Sequence, residues 1–167
     1  TLIFTGCKDD DVATPEDENE EELITTVELT FTEGPNTSVF RFSDPDGDGG
    51  NAPTETDTVR LKAKTIYDLR IRFLDESKTP TEDITLEVKE ESNEHLVCYD
   101  STDGIETIRI KDRDFNELNL GLNSDVVTGE ASNGTLSISL KHQPDIKDGS
   151  CDVGETDVEV SFVLEIK

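Results

Sequence analysis

Tryptophan is absent from this sequence, tyrosine occurs twice, histidine twice, and bases are scarce, with 15 Lys and Arg against 40 Asp and Glu. Each shortage excludes something. With no Trp and two Tyr there is little aromatic surface to stack on a sugar ring, which disfavours a glycan cleft. A formal net charge of −25 repels phosphate backbones and anionic headgroups, so nucleic acid and anionic lipid surfaces are set aside as partners, and cations are attracted. No apolar run beyond the first residues approaches the ~20 needed for a transmembrane helix. Catalytic signatures are missing as well: there is no G-x-S-x-G elbow, no phosphate loop and no H-E-x-x-H. Carboxylate pairs of the glycosidase kind can always be assembled from so many acids, so finding them says nothing. The expectation is a protein that binds rather than catalyses.

What is present starts with TLIFTGC, residues 1–7: a short apolar run, then small residues, then a cysteine. This resembles the end of a bacterial lipoprotein signal, with residues 1–6 the signal remnant and Cys7 the acylated residue, although Phe4 stands where Leu is commonest. Acylation by more than one chain is what stable membrane anchoring requires. The following CKDDD resembles the Lys-plus-acids export signal of Bacteroidota surface lipoproteins, which implies the outer face of the outer membrane. Residues 8–22 hold nine of the 40 acids and one of the 15 bases, a net of −8 that leaves −17 on the rest. With Cys7 they form the second segment, 7–22, which reads as a disordered, self-repelling tether. The third segment, 23–167, is the domain.

From Leu23 onward apolar residues recur with period two. Val27, Leu29 and Phe31 alternate with polar residues. So do Phe40 and Phe42; Val59, Leu61 and Ala63; Tyr67, Leu69, Ile71 and Phe73; Val97 and Tyr99; Ile108 and Ile110; Leu120 and Leu122; Leu136, Ile138 and Leu140; and Val158, Val160, Phe162 and Leu164. These give about nine short strands, predicting an all-β fold, an antiparallel β-sandwich or Greek-key barrel in which a second sheet covers the apolar face of the first. One stretch departs from the alternation. TPTEDITLEVKEESNEH places Ile84 and Val88 four apart, which predicts one short helix with Thr79 or Thr81 as N-cap.

If successive strands are antiparallel neighbours, connections alternate between two ends. The short ones (34–36, 64–65, 102–104, 129–134) then fall at one end, and the long, acid-rich ones (44–56, 75–94, 112–119, 143–156) at the other. Binding residues concentrate on such loops. In the first long loop DPDGDGGNAPTE matches the calcium pattern D-x-D-x-D-G-x5-E, with Asp44, Asp46, Asp48 and Glu55 as oxygen donors. The flanks are strands, so this is no EF-hand, and an Asp/Gly-rich turn without metal fits the same residues. KDRDFNELN repeats the spacing with Asp112 and Asp114 but lacks the glycine. Each histidine shares the inward parity of its strand: His95 precedes Val97 and Tyr99, and His142 follows Leu140. Both therefore face the interior at the long-loop end, near Glu94 and the acids that follow His142, among them Asp157. Two imidazoles with carboxylates suit zinc or another transition metal rather than calcium; two unrelated histidines at the core edge are the alternative. Outside the cytoplasm Cys98 and Cys151 are free to form a disulfide worth roughly 4 kcal/mol in the chain-entropy model, or stand as two buried thiols. A Cys-based zinc site lacks partners at ligand spacing.

EELITTV, DPDGDGGNAPT, EDITLEV with EESNEH, LKHQP and GETDVEVSF together resemble a group of small Bacteroidota lipoproteins that carry the description "type 1 periplasmic binding fold". The likeness spans most of residues 21–166. It implies an accessory partner of a TonB-dependent outer-membrane receptor that imports scarce metals or metal complexes, with His95 and His142 at matching places. In that group the second acidic loop looks like a full D-x-D-x-D-G, from which Phe115 and Glu117 depart here. The fold the description names is two-lobed and α/β, whereas period-two alternation in a chain this short predicts an all-β domain. A calcium-stabilised structural or adhesive surface module is the second functional expectation.

Overall fold

A computed structural model describes residues 23–47 and 50–167; Cys7, the segment 1–22 and Asp48 lie outside them. The described chain is built from β1 (Thr26–Glu33), β2 (Asn36–Ser43), β3 (Glu55–Thr56), β4 (Thr58–Leu61), β5 (Ile66–Leu74), α1 (Thr85–Glu90), β6 (His95–Ser101), β7 (Ile105–Ile110), β8 (Asn123–Thr128), β9 (Ser132–His142) and β10 (Glu155–Ile166). The strands form two sheets, β3-β2-β1-β5-β8-β7 and β4-β10-β9-β6, packed as a β-sandwich. No helix among the described residues is long and apolar enough to cross a membrane.

The period-two residues fill the space between the sheets. Val27, Leu29, Phe31, Leu69, Ile71 and Phe73 from one sheet, and Leu136, Ile138, Leu140, Phe162 and Leu164 from the other, are all at most 2 % exposed. Each such side chain contributes about 1.5–3 kcal/mol on leaving water. An edge-on aromatic contact joins the layers, with Phe42 of the first sheet 6.4 Å from Phe162 of the second, and within the first sheet Phe31 lies 5.9 Å from Tyr67.

Three expectations need correction. Leu120 and Leu122 are buried but lie ahead of a strand, not in one. Their carbonyls accept from the amides of Val97 and Ile71, so this stretch bridges the two sheets and the ladder resumes at Asn123. Pairing is not wholly antiparallel, because β4 runs parallel to β10; the chain changes sheets between the adjoining strands β3 and β4 instead of turning back. The helix is shorter than expected, and neither Thr79 nor Thr81 caps it. Asp83 accepts from the Thr85 amide (3.2 Å), while the buried Thr85 hydroxyl donates to the Phe73 carbonyl and accepts from its amide. These bonds pin α1 to the end of β5, with Ile84 and Val88 turned inward.

Short connections gather at one end, where the Lys64 amide donates to Gly129 and the Gly129 amide to Gly104. All four long connections gather at the other. The Thr25 amide meets Leu74, the Asp44 amide meets Thr25, the Gln143 amide meets Glu94, and Lys147 reaches Asp114 at 2.8 Å.

Candidate metal centre

At the long-loop end β6 begins and β9 finishes, and their antiparallel register sets His95 directly opposite His142. Directly paired residues point to the same face of a sheet, so the imidazoles stack, with ring centroids 4.8 Å apart and planes 8° from parallel. They are 5 % and 7 % exposed. Helix α1 supplies the third group. Its last turn closes with the Glu91 amide donating to Glu87, and the next turn with the Glu94 amide donating to Glu91, so both carboxylates stand just ahead of His95. One donor atom from each of Glu91, His95 and His142 lies within 4.8 Å of the others, the one such trio among the described residues.

The surroundings are anionic. His95 Nδ1 lies 3.9 Å from Glu91 Oε2 and 3.3 Å from the Glu91 carbonyl, and its Nε2 lies 3.8 Å from Asp157 Oδ2. His142 Nε2 is 3.7 Å from Glu94 Oε2, too long for a hydrogen bond, and this buried nitrogen has no hydrogen-bond partner among the described residues. Burial pushes the His95 pKa down to about 4, helped by repulsion from His142 and Lys147, so the ring is neutral at neutral pH, the form that ligates metals. Burial, then repulsion from Glu87 and Glu94, raises the Glu91 carboxyl above the usual range. The carboxylates of Glu87, Glu91 and Glu94 thus repel one another beside the two rings, and a divalent cation would offset that repulsion. Tetrahedral zinc bonds at about 2.0–2.1 Å, which places donors about 3.3 Å apart; ring rotation and a shift of about 1 Å would bring this trio to that spacing.

The supporting loops are tightly fixed. Gly154 has φ +80°, and a Cβ there would sit 2.3 Å from the His142 carbonyl oxygen, so the chain returning to β10 needs glycine to pass the site. Gln143, fully buried, donates to the carbonyls of Ser150 and Val153. Cys98 and Cys151 are joined by a disulfide with Cα atoms 6.0 Å apart, which ties the same loop to β6.

The remaining acids make other contacts. The Asp112 carboxylate accepts from the amides of Gly121, Leu122 and Asn123 at 3.0–3.1 Å. Asp114 likewise accepts from Asn116 and Leu118 and forms an ion pair with Lys147, both side chains at most 3 % exposed. Lys147 donates onward to the Ser92 carbonyl, inside the turn that carries Glu91 and Glu94. In the first acidic loop Asp46 accepts from Asn51 at 2.6 Å, and that bond, more than any other contact, holds its carboxyl below the usual range. Glu55 belongs to β3 opposite Ser43 and faces Arg41 at 3.9 Å. Asp44 stands at the start of this loop, and Asp48 is outside the described residues.

Comparison with protein families, with characterised proteins and with solved structures returns no match. The functional reading therefore stands on geometry and chemistry.

Proposed function

We propose that this protein is a lipid-anchored outer-membrane surface protein that captures a divalent transition metal, or a ligand bearing one, at the acidic end of its β-sandwich and presents it to a TonB-dependent receptor. One observation carries the binding part: a buried imidazole nitrogen, on His142, with no hydrogen-bond partner among the described residues, beside a second buried imidazole and the carboxylate of Glu91. An unpartnered polar atom in such a place costs stability unless a ligand uses it. The donor set of two nitrogens and carboxylate oxygen is that of zinc and its neighbours. Anchoring through Cys7 and delivery to a receptor rest on the N-terminal motifs and the resemblance described above.

Calorimetric titration of the metal-free chain with zinc, with cobalt absorbance as a geometry check, tests this. One equivalent should bind, Glu91→Gln should weaken it about tenfold, and His95→Ala with His142→Ala should abolish it while circular dichroism keeps the β signature. No binding by the unaltered chain, or unchanged binding by the folded double variant, removes the proposal. The second reading is a calcium-rigidified surface module, favoured by the adjacent carboxylates of Asp44 and Asp46, which interact directly. In that case calcium alone raises the melting temperature and zinc does not.

A further inference from the structure

We infer that the cleft between β6 and β7 is a second binding site, one that accepts an extended, Lys- or Arg-containing segment of a partner protein as an added strand along β7. The two strands are consecutive, yet each is the outermost strand of a different sheet. The chain leaves β6, turns at 102–104 and enters the opposite layer, so the sandwich opens as a notch along this side. β7 pairs only with β8, and β6 only with β9. Each therefore presents one row of main-chain donors and acceptors away from its sheet, and an unpaired row of this kind is a template for another strand. On β6 part of that row is taken, since the Val97 amide donates to Leu120; along β7 no described residue outside β8 pairs with it.

The notch has a volume of about 420 Å³. Its walls are apolar, with Ile105, Ile108 and Ile110 of β7 only half-buried and facing Val97 and Tyr99 across the gap. Tyr99 turns its hydroxyl away, toward the Gly121 carbonyl and Ser124, and leaves its ring as lining. The ionic groups lining the notch are Asp100 and Glu106, with no Lys or Arg among them. Main-chain edge, apolar floor and acidic rim together specify the occupant: an extended backbone, apolar side chains at alternate positions pointing in, and basic side chains placed toward Asp100 and Glu106 and away from the exposed Arg109 of β7. β7 offers six residues, about 20 Å of strand, with one register shift between Ile105 and Thr107. The site lies along the flank of the sandwich and does not depend on the metal reading.

A display library of random linear peptides, panned on the full chain, identifies binders, and fluorescence anisotropy measures them. Enriched peptides should alternate apolar residues with Lys or Arg. N-methylation of alternate amides should weaken binding about tenfold or more, because it removes the strand hydrogen bonds. Asp100→Lys with Glu106→Lys, both at the rim, should weaken the basic peptides and admit their Glu-substituted counterparts. Ile108→Thr, which keeps strand propensity, should weaken binding with little change in melting temperature. No enriched peptide, binding indifferent to N-methylation, or a flank found to be closed by a second copy of the chain in sedimentation would each overturn the inference.

Discussion

Replacing Lys147 by Met is predicted to destabilise the fold by about 3–5 kcal/mol, the cost of stranding one member of a buried ion pair. The size follows from the geometry. Lys147 and Asp114 are 3 % and 0 % exposed and 2.8 Å apart, so water cannot replace the lost ammonium. Burial alone would raise the Asp114 carboxyl; Lys147 and the amides of Leu118 and Asn116 overcome it and leave that carboxyl below the usual range. Met matches the length of the lysine stem and creates no large cavity, so the loss is electrostatic. For a domain of this size the shift in Tm is about 10 °C. The double variant Lys147→Met with Asp114→Asn keeps an acceptor for the Asn116 and Leu118 amides and removes the stranded charge, and should recover about half of the loss. The coupling in the double-mutant cycle is then at least about 1.5–2.5 kcal/mol, and larger by whatever Asp114→Asn costs alone. Urea melts of the four proteins measure this directly. A single-variant loss under about 1 kcal/mol, the value for an exposed pair, would refute the claim that this pair joins three loops in a dry interior.

Three further outcomes are expected. Asp112→Ala removes the acceptor of three loop amides and should cost about 2–3 kcal/mol in urea melts while leaving the zinc stoichiometry unchanged; loss of a bound metal instead would return Asp112 to the ligands. Cys98→Ser with Cys151→Ser opens a loop with a sequence separation of 53 and should cost about 4 kcal/mol, read as the difference between oxidised and variant protein. In metal-free protein the unfolded His95 ring takes up a proton near pH 6.5 and the folded ring near pH 4; unfolded chains therefore bind more protons across that window, and stability falls as pH drops through it, by up to about 3 kcal/mol. His95→Asn should flatten that slope, and an unchanged slope would exclude the burial assigned to this ring.

The sandwich was legible because period-two alternation is a local signal that burial on one face imposes everywhere. The gathering of long loops at one end followed from strand parity, and the two histidines followed from parity within their strands. Glu91 was missed, although its spacing of four from His95 just after a helical pattern is the signal that could have found it. For Asp112 and Asp114 the D-x-D spacing leaves two roles open, because a carboxylate that accepts loop amides and one that ligates a cation share it; the contacts they make come from the tertiary path of 118–123 and the buried Lys147, which no local pattern shows. Nothing in D-I-K-D-G marks its lysine as buried. Leu120 and Leu122 imitate a strand because a stretch crossing between two sheets also buries alternate residues.

The position of Asp157 shows how register builds the site. Inward residues of β10 run Val160, Phe162, Leu164, Ile166, and by strict alternation Asp157 would point to solvent. The pairing with β9 instead shifts between Thr156 and Val158, leaving Asp157 as an extra residue, and its side chain is 4 % exposed beside His95 Nε2. A bulge re-aims one side chain without disturbing the ladder on either side. The unbroken register from Val158 to Ile166 keeps the apolar face of β10 on the core, so the irregularity is confined to Asp157. A ligating imidazole commonly has a carboxylate at its other nitrogen, which orients the ring and raises its basicity. With Glu91 near Nδ1 and Asp157 3.8 Å from Nε2, His95 lies between two carboxylates. The sheet therefore supplies both the stacked pair, through regular pairing, and the carboxylate beside it, through one interruption of that pairing.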